Sequence, residues 1–285
     1  MMLLVILFGY GLIFGSFINA LVWRLHEQGN KRIKSQQQGV KKPRKQVPED
    51  YSILTGRSMC PQCHHTLAAR DLVPVLSWLS LRGRCRYCQK PISAQYPLVE
   101  LLTGVIFAVF YLGWPFSLIG LELVWFVYGL VYLVYFVALA LYDFKWFLLP
   151  DKLVFPLISL AASEVVVTAV WTESWRNLWL PVVGAGLFFG LFWVLYQVSA
   201  GKWIGGGDVK LAAALGFIAG GPLEAMMVLF VASFLGTLVS IPLLMQQKGG
   251  LRQHIPFGPY LLAGCFIVML YGERILSWYN GLILL

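Results

Sequence analysis

The chain has 285 residues, 59% of them hydrophobic and only 12% charged, where soluble domains carry about 25% charged residues. That composition excludes an ordinary soluble enzyme and points to a polytopic helical membrane protein, since several windows of roughly 20 residues hold almost no charge and suffice to cross a core of about 30 Å. The net charge of +9 is no sign of nucleic-acid binding, because basic patches interleaved with aromatics are missing. Basic residues gather instead between Arg24 and Lys90 and in short polar breaks at Lys145, Lys152, Lys202, Lys210, Lys248 and Arg252. This is the distribution of cytoplasmic loops, and it suits anionic lipid headgroups.

Met1 to Trp23 reads as the first transmembrane helix. It lacks the basic start and small-residue cleavage site of a secretory leader, and charge follows it at Arg24, so its amino terminus is expected outside. Gly11 and Gly15 form a G-x-x-x-G pair, and Gly15, Ser16 and Asn19 a small polar stripe, suited to close helix packing. Residues 24–96 read as one cytoplasmic loop. Its first part, Glu27 to Asp50, is rich in Gln and Lys and is expected to be a mobile linker.

Tyr51 to Tyr96 is a different kind of segment. Cys60-Pro-Gln-Cys63 and Cys85-Arg-Tyr-Cys88 are two C-x-x-C turns, each aiming two thiolates at one ion. In the reducing cytosol they point to a four-cysteine zinc site rather than to disulfides. Four thiolates leave no open position, so the ion is expected to be structural. His64 and His65 adjoin the site, but the four cysteines suffice. Cys265 reads as a small core residue.

Residues 97–285 read as the transmembrane core. Spans are expected at Pro97–Ile119, Gly120–Tyr142, Lys152–Trp171, Leu178–Val198, Val209–Gly220, Leu223–Met245 and from Pro256 onward. With the first span this makes about eight, although Val209–Gly220 is short for a crossing. Eight crossings put all 22 basic residues except Arg176 and Arg274 on the inside, together with Asp143 and Asp208. Glu100 is placed in the first turn of its span, and Asp151, after Pro150, as a cap of the next helix.

Asp143 and Asp208 both stand at span ends. Two carboxylates held close cannot both ionise readily, so one can serve as acid and the other as base. Such a pair can activate water and hydrolyse a peptide bond without a covalent intermediate. Gly205, Gly206 and Gly207 would let an extended peptide lie beside Asp208. On position alone, Asp208 could equally be the cap of the short helix after it, and Asp143 a helix-end acid near Lys145. No G-x-S-x-G or H-E-x-x-H occurs, which argues against serine-hydrolase and zinc-protease chemistry.

The parts together resemble one family, the type IV prepilin peptidases, bacterial bifunctional leader peptidases and N-methyltransferases. The resemblance covers nearly the whole chain. It rests on Gly15-Ser-Phe-Ile-Asn19, the two cysteine turns with Leu81-Arg-Gly-Arg-Cys85, Ile92 to Glu100, Asp143 with Leu149-Pro-Asp151, Gly205-Gly-Gly-Asp-Val-Lys210 and Pro256-Phe-Gly-Pro259, in that order. It implies a GxGD aspartyl protease in the bacterial cytoplasmic membrane. Such an enzyme cleaves prepilins or pseudopilins after the glycine of a basic leader, then methylates the new terminal amine from S-adenosylmethionine. By position Asp143 and Asp208 match the catalytic pair, Asp151 an accompanying acid, and Cys60, Cys63, Cys85 and Cys88 the metal-binding loop. Gly205, Gly206, Gly207, Lys210, Asp151 and Glu100 are expected to support or bind substrate. The insert Glu27 to Asp50 looks long for the family. No glycine-rich cofactor loop follows a strand, so the sequence places no S-adenosylmethionine site. A zinc-containing membrane assembly factor is the alternative. A proton-relay transporter would favour acids at mid-bilayer instead.

Overall fold

The computed structural model describes residues 1–37, 56–245 and 256–283. Among them there is no strand, only two isolated β-bridges. Seven helices are long and apolar enough to cross a membrane. They are α1 (Met2–Gln37), α3 (Gln95–Gly113), α4 (Gly120–Trp146), α5 (Asp151–Thr172), α6 (Arg176–Val198), α8 (Pro222–Met245) and α9 (Gly258–Ile283). A short helix, α2 (Leu76–Ser80), lies in the cysteine segment. The remaining expected crossing is α7 (Gly206–Ala219). Its 14 residues span only about 21 Å at 1.5 Å per residue, short of a full hydrocarbon core.

Several boundaries differ from expectation. Helix α1 runs past Trp23 to Gln37, because the Glu, Gln and Lys of that stretch are good helix formers. The rest of the expected linker, 38–50, and the basic break 246–254 lie outside the described residues. Helix α3 begins at Gln95, two residues before Pro97, where a missing N–H is tolerated in the first turn. Glu100 therefore stands in the second turn rather than the first. Asp151 is the first residue of α5, and Pro150 takes the cap position, its carbonyl accepting from the Leu153 and Val154 amides at 2.9 and 3.1 Å.

The chain divides into two compact units, Met1–Leu112 and Gly113–Leu285. In the first, α1 and α3 touch backbone to backbone. A Cβ on Gly11 would lie 2.6 Å from the Cα of Gly104, and one on Gly15 2.6 Å from the Cα of Glu100. The small stripe of α1 is thus a packing surface, as its spacing suggests. Asn19 fastens the same contact, its Nδ2 donating to the Tyr96 carbonyl at 3.1 Å.

In the second unit α7 is the centre. Leu211, Ala212, Ala214 and Leu215 are fully buried, with α5, α6, α8 and α9 around them. Close approach again uses small residues: a Cβ on Gly216 would lie 2.5 Å from the Cα of Ala185 on α6. Helices α4 and α5 are joined by polar pairs across their facing sides. Trp125 Nε1 donates to Thr168 Oγ1 at 2.8 Å, Tyr128 meets Ser163 at 3.1 Å, and the Tyr132 hydroxyl donates to Glu164. Outward faces carry Val170, Phe230, Phe234 and Leu238, as lipid contact requires.

Candidate active site and metal centre

Three helix ends bring the two aspartates together. Asp143 lies in the last turn of α4, which the structure carries to Trp146 rather than ending at Tyr142. There Phe147 turns into the left-handed region at φ 54°, and its amide donates to the Asp143 carbonyl at 2.8 Å. Asp208 is the third residue of α7. Gly258 opens α9, and its amide donates to the Asp143 carboxylate.

The distances fix how close the two acids are. A Cβ built on Gly258 would stand 2.5 Å from Asp143 Oδ2 and 3.6 Å from Asp208 Oδ1. The two carboxylate oxygens are therefore no farther apart than the sum of those distances. The starts of α7 and α9 also present partial positive charge to the pair. Asp143 is buried and Asp208 partly exposed, while Gly205 and Gly206 beside it are exposed. The pair is sheltered on one side and open along the glycine segment.

Asp208 also caps its own helix. Gly205 holds the cap position, and its amide donates back to Asp208 Oδ2 at 3.3 Å. The capping and acid–base readings of Asp208 are thus compatible. Of the three glycines, Gly207 is the one that close packing demands, since its Cβ would meet Leu149 Cβ at 2.9 Å. Gly205 and Gly206 leave room for a side chain.

Two of the other expected site residues pair with each other. Lys210 Nζ meets Asp151 Oδ1 at 2.7 Å and sits 5.3 Å from the centre of the Phe155 ring. Those contacts tie α7 to the start of α5. Glu100 belongs to the first unit. Its buried carboxylate accepts the Val75 amide at 2.7 Å.

The four cysteines form the second cluster. Their Sγ atoms all lie within 4.8 Å of one another, and Cys60 and Cys88 are 4.0 Å apart. Tetrahedral zinc with Zn–S bonds near 2.3 Å needs S···S separations of about 3.8 Å, so the donor set fits such an ion. The two turns share one geometry. Cys60 N–H donates to the His65 carbonyl and His64 N–H to Cys60; Cys85 N–H donates to Lys90 and Gln89 N–H to Cys85, all at 2.9–3.0 Å. His64 and Gln89 both take positive φ, 55° and 58°. His65 packs tilted against Tyr87 at 3.7 Å between ring centres, and neither histidine belongs to the thiol cluster.

Asp71 locks the second turn in place. It accepts from Arg86 at 2.7 Å, Tyr87 at 3.1 Å and the Ala68 amide at 3.3 Å. Its burial favours the neutral acid, but these donors outweigh that and hold the carboxyl below its usual range. Burial also pushes the Cys60 thiol up to about 11.

Sequence reasoning passed over three residues. Gly258 was visible only as part of Pro256-Phe-Gly-Pro259. Glu164 is the one acid interior to the α5 sequence, a signal in itself, since such acids are expensive in a membrane. Asn19 belongs in the sequence to the packing stripe and to the Gly15-Ser-Phe-Ile-Asn19 motif, and neither signals its hydrogen bond to the Tyr96 carbonyl.

Comparison with known proteins adds an independent line. Residues 10–114 match the family described as Bacterial Peptidase A24 N-terminal domain, and residues 130–241 match the Type IV leader peptidase family. The chain is 34% identical to a prepilin leader peptidase/N-methyltransferase of Aeromonas salmonicida (strain A449), over 98% of this chain and 94% of the relative. It is 32% identical to one of Bacillus subtilis (strain 168), over 97% and 98%. A type 4 prepilin-like proteins leader peptide-processing enzyme of Escherichia coli O78:H11 is 33% identical, over 89% and 88%. No solved structure matches the chain.

Proposed function

Because the chain belongs to the type IV leader peptidase family, we propose that it is a bifunctional prepilin leader peptidase and N-methyltransferase of the bacterial cytoplasmic membrane. It cleaves after the glycine of a basic leader on prepilins or pseudopilins, and then methylates the new amino terminus. The observation that carries the proteolytic half is the meeting of Asp143 and Asp208 at Gly258.

In this reading the pair shares one proton and titrates as a unit. The ionised carboxylate takes a proton from water as the water oxygen attacks the scissile carbonyl carbon. The protonated partner gives its proton to the carbonyl oxygen. The tetrahedral intermediate then collapses, the carbon–nitrogen bond breaks, and the leaving amine takes up a proton. The exposed Gly205–Gly206 backbone offers a rail for the extended substrate.

In this reading the pair and the cysteine module face the cytoplasm and the amino terminus lies outside, a reading supported by the positions of the basic sequence breaks. The four thiolates hold a structural zinc ion, which can supply roughly 10 kcal/mol or more of apparent folding energy to a small module. S-adenosylmethionine supplies the methyl group when bound.

Incubation of the purified protein with a prepilin bearing a Gly-ended basic leader tests the reading. Mass analysis should find a single cut after that glycine and, with S-adenosylmethionine present, one added methyl group on the product. A product cut elsewhere would refute the cleavage site, and no product in a competent membrane mimic would favour a non-enzymatic assembly role.

A further inference from the structure

The leader cleaved in the reading above is basic, yet the end of the unit Gly113–Leu285 that holds Asp143 and Asp208 is itself rich in lysine. Lys145 lies in the last turn of α4, Lys152 and Lys210 near the starts of α5 and α7, and Lys202 in the link between α6 and α7. Such a rim repels a basic peptide, so an acid has to receive it. The helix directions leave one. Glu122 is in the first turn of α4, at the end away from Asp143, Glu173 follows α5 at the end away from Asp151, and Glu224 is in the first turn of α8, just after α7 has ended. Glu273 stands about four turns past Gly258 on α9. Glu164 is in mid-helix on α5 and accepts from the Tyr132 hydroxyl. Among the described residues of this unit, Asp151 is therefore the one acid at the site end besides the catalytic pair.

Asp151 is also near enough. Leu149, two residues before it, packs on Gly207, the neighbour of Asp208, where an added Cβ would lie 2.9 Å from Leu149 Cβ. The Asp151 side chain is 56% exposed, and only its Oδ1 meets Lys210, at 2.7 Å. A carboxylate accepts through two oxygens, and Lys210 is itself partly exposed, so the pair is open to exchange.

We propose that Asp151 is a specificity-determining residue that binds the ammonium or guanidinium group of a leader lysine or arginine a few residues before the scissile glycine. The inference rests on the peptidase reading above. With that glycine at the aspartate pair, an extended leader advances about 3.3 Å per residue, so a few residues carry it from Asp208 to Asp151. The incoming cation shares the carboxylate with Lys210 or displaces it. One exposed ion pair is exchanged for another, so the preference for a basic leader is modest and Lys210 sets its size.

The test uses the full-length protein in neutral detergent, which removes anionic lipid as a rival receiver. Two prepilins compete, one with a Gly-ended basic leader and one with its lysines and arginines replaced by glutamine. The native protein should prefer the basic leader, through KM, and added salt should erode the preference. Asp151→Lys should lower kcat/KM for the basic leader about fivefold, and a leader carrying glutamate at those positions should recover the loss. A merely structural Asp151 would give no such rescue. Lys210→Met should raise the preference. Equal losses on every leader, or an unaltered preference in Asp151→Lys, would overturn the assignment. If Asp151→Lys fails to fold, Lys210→Met decides, and a preference that stays or falls in that variant overturns it. If the native protein cuts no prepilin, the peptidase reading falls and this inference with it. Equal cutting of the basic and glutamine leaders refutes the inference alone.

Discussion

Gly258→Ala probes the geometry of the aspartate pair without touching either acid. The added methyl carbon would stand 2.5 Å from Asp143 Oδ2, where carbon–oxygen contacts normally begin at about 3.3 Å. The Asp143 carboxylate must therefore retreat by roughly 0.8 Å, and a displacement near 1 Å at a reacting centre can cost about 10²-fold in rate. Backbone strain does not confuse the result, since Gly258 is not among the positive-φ glycines. Overpacking by one methyl group costs typically about 1–3 kcal/mol, which a core of this size should survive. Gly236→Ala is the matched control, because its Cβ would meet nothing nearer than 3.6 Å. Steady-state cleavage of a prepilin in detergent–lipid mixtures should show kcat down about 100-fold for Gly258→Ala and near normal for Gly236→Ala. Gly258→Ala cleaving within about twofold of the native rate would refute the argument that Gly258 positions Asp143 for catalysis.

Further tests address the framework. Glu164→Leu strips the buried Tyr132 hydroxyl of its acceptor and should cost about 1–3 kcal/mol, read as a lower thermal midpoint, whereas Glu164→Gln keeps an acceptor and should cost less. Lys210→Met breaks the pair with Asp151, but both side chains are partly exposed, so stability should fall by no more than about 1 kcal/mol in chemical denaturation. A larger loss would mean that the pair does more than tie α7 to α5. Asp71→Asn should loosen the second cysteine turn by about 1 kcal/mol at neutral pH, a modest figure because Arg86 is partly exposed. The Asp71 carboxyl lies below its ordinary range in the folded protein, so its contribution is present at neutral pH and is lost as pH falls through its folded-state pKa. Unfolding midpoints of the native and Asp71→Asn proteins should therefore differ at neutral pH and converge as the Asp71 carboxylate is protonated in the folded protein. A gap that persists in acid would assign the effect to something other than the charge.

Much of this arrangement could be read from residue order. Apolar runs locate helices because a bilayer demands long uncharged segments, and the short run after Asp208 already stood out. Each C-x-x-C turn specifies a pair of thiols by local geometry, with the His64 and Gln89 backbones repeating one another, and the spacing of the two turns suggests that the pairs meet. Helix ends were less legible, because Glu, Gln and Lys beyond Trp23 carry helix propensity without hydrophobic periodicity. The pairing of Asp143 with Asp208 is an expectation the sequence supports, but the part that the start of α9 plays in it is not legible there. Gly258 is 115 residues from Asp143 in numbering, and nothing local says that its missing side chain makes room for a carboxylate. Asn19 illustrates the same limit, since its bond to the Tyr96 carbonyl exists only once α1 and α3 have met.

The central claim is that Asp143 and Asp208 together perform the hydrolysis. The direct measurement is cleavage of a basic-leader, Gly-ended prepilin by the native protein, Asp143→Asn and Asp208→Asn, each shown to be folded and to retain its metal. Asparagine preserves shape and removes the titrating group, so the account predicts that the native protein cuts and that neither variant gives detectable product. Cleavage by both variants at the native rate would make the two acids structural, and the hydrolytic machinery would have to lie elsewhere in the chain.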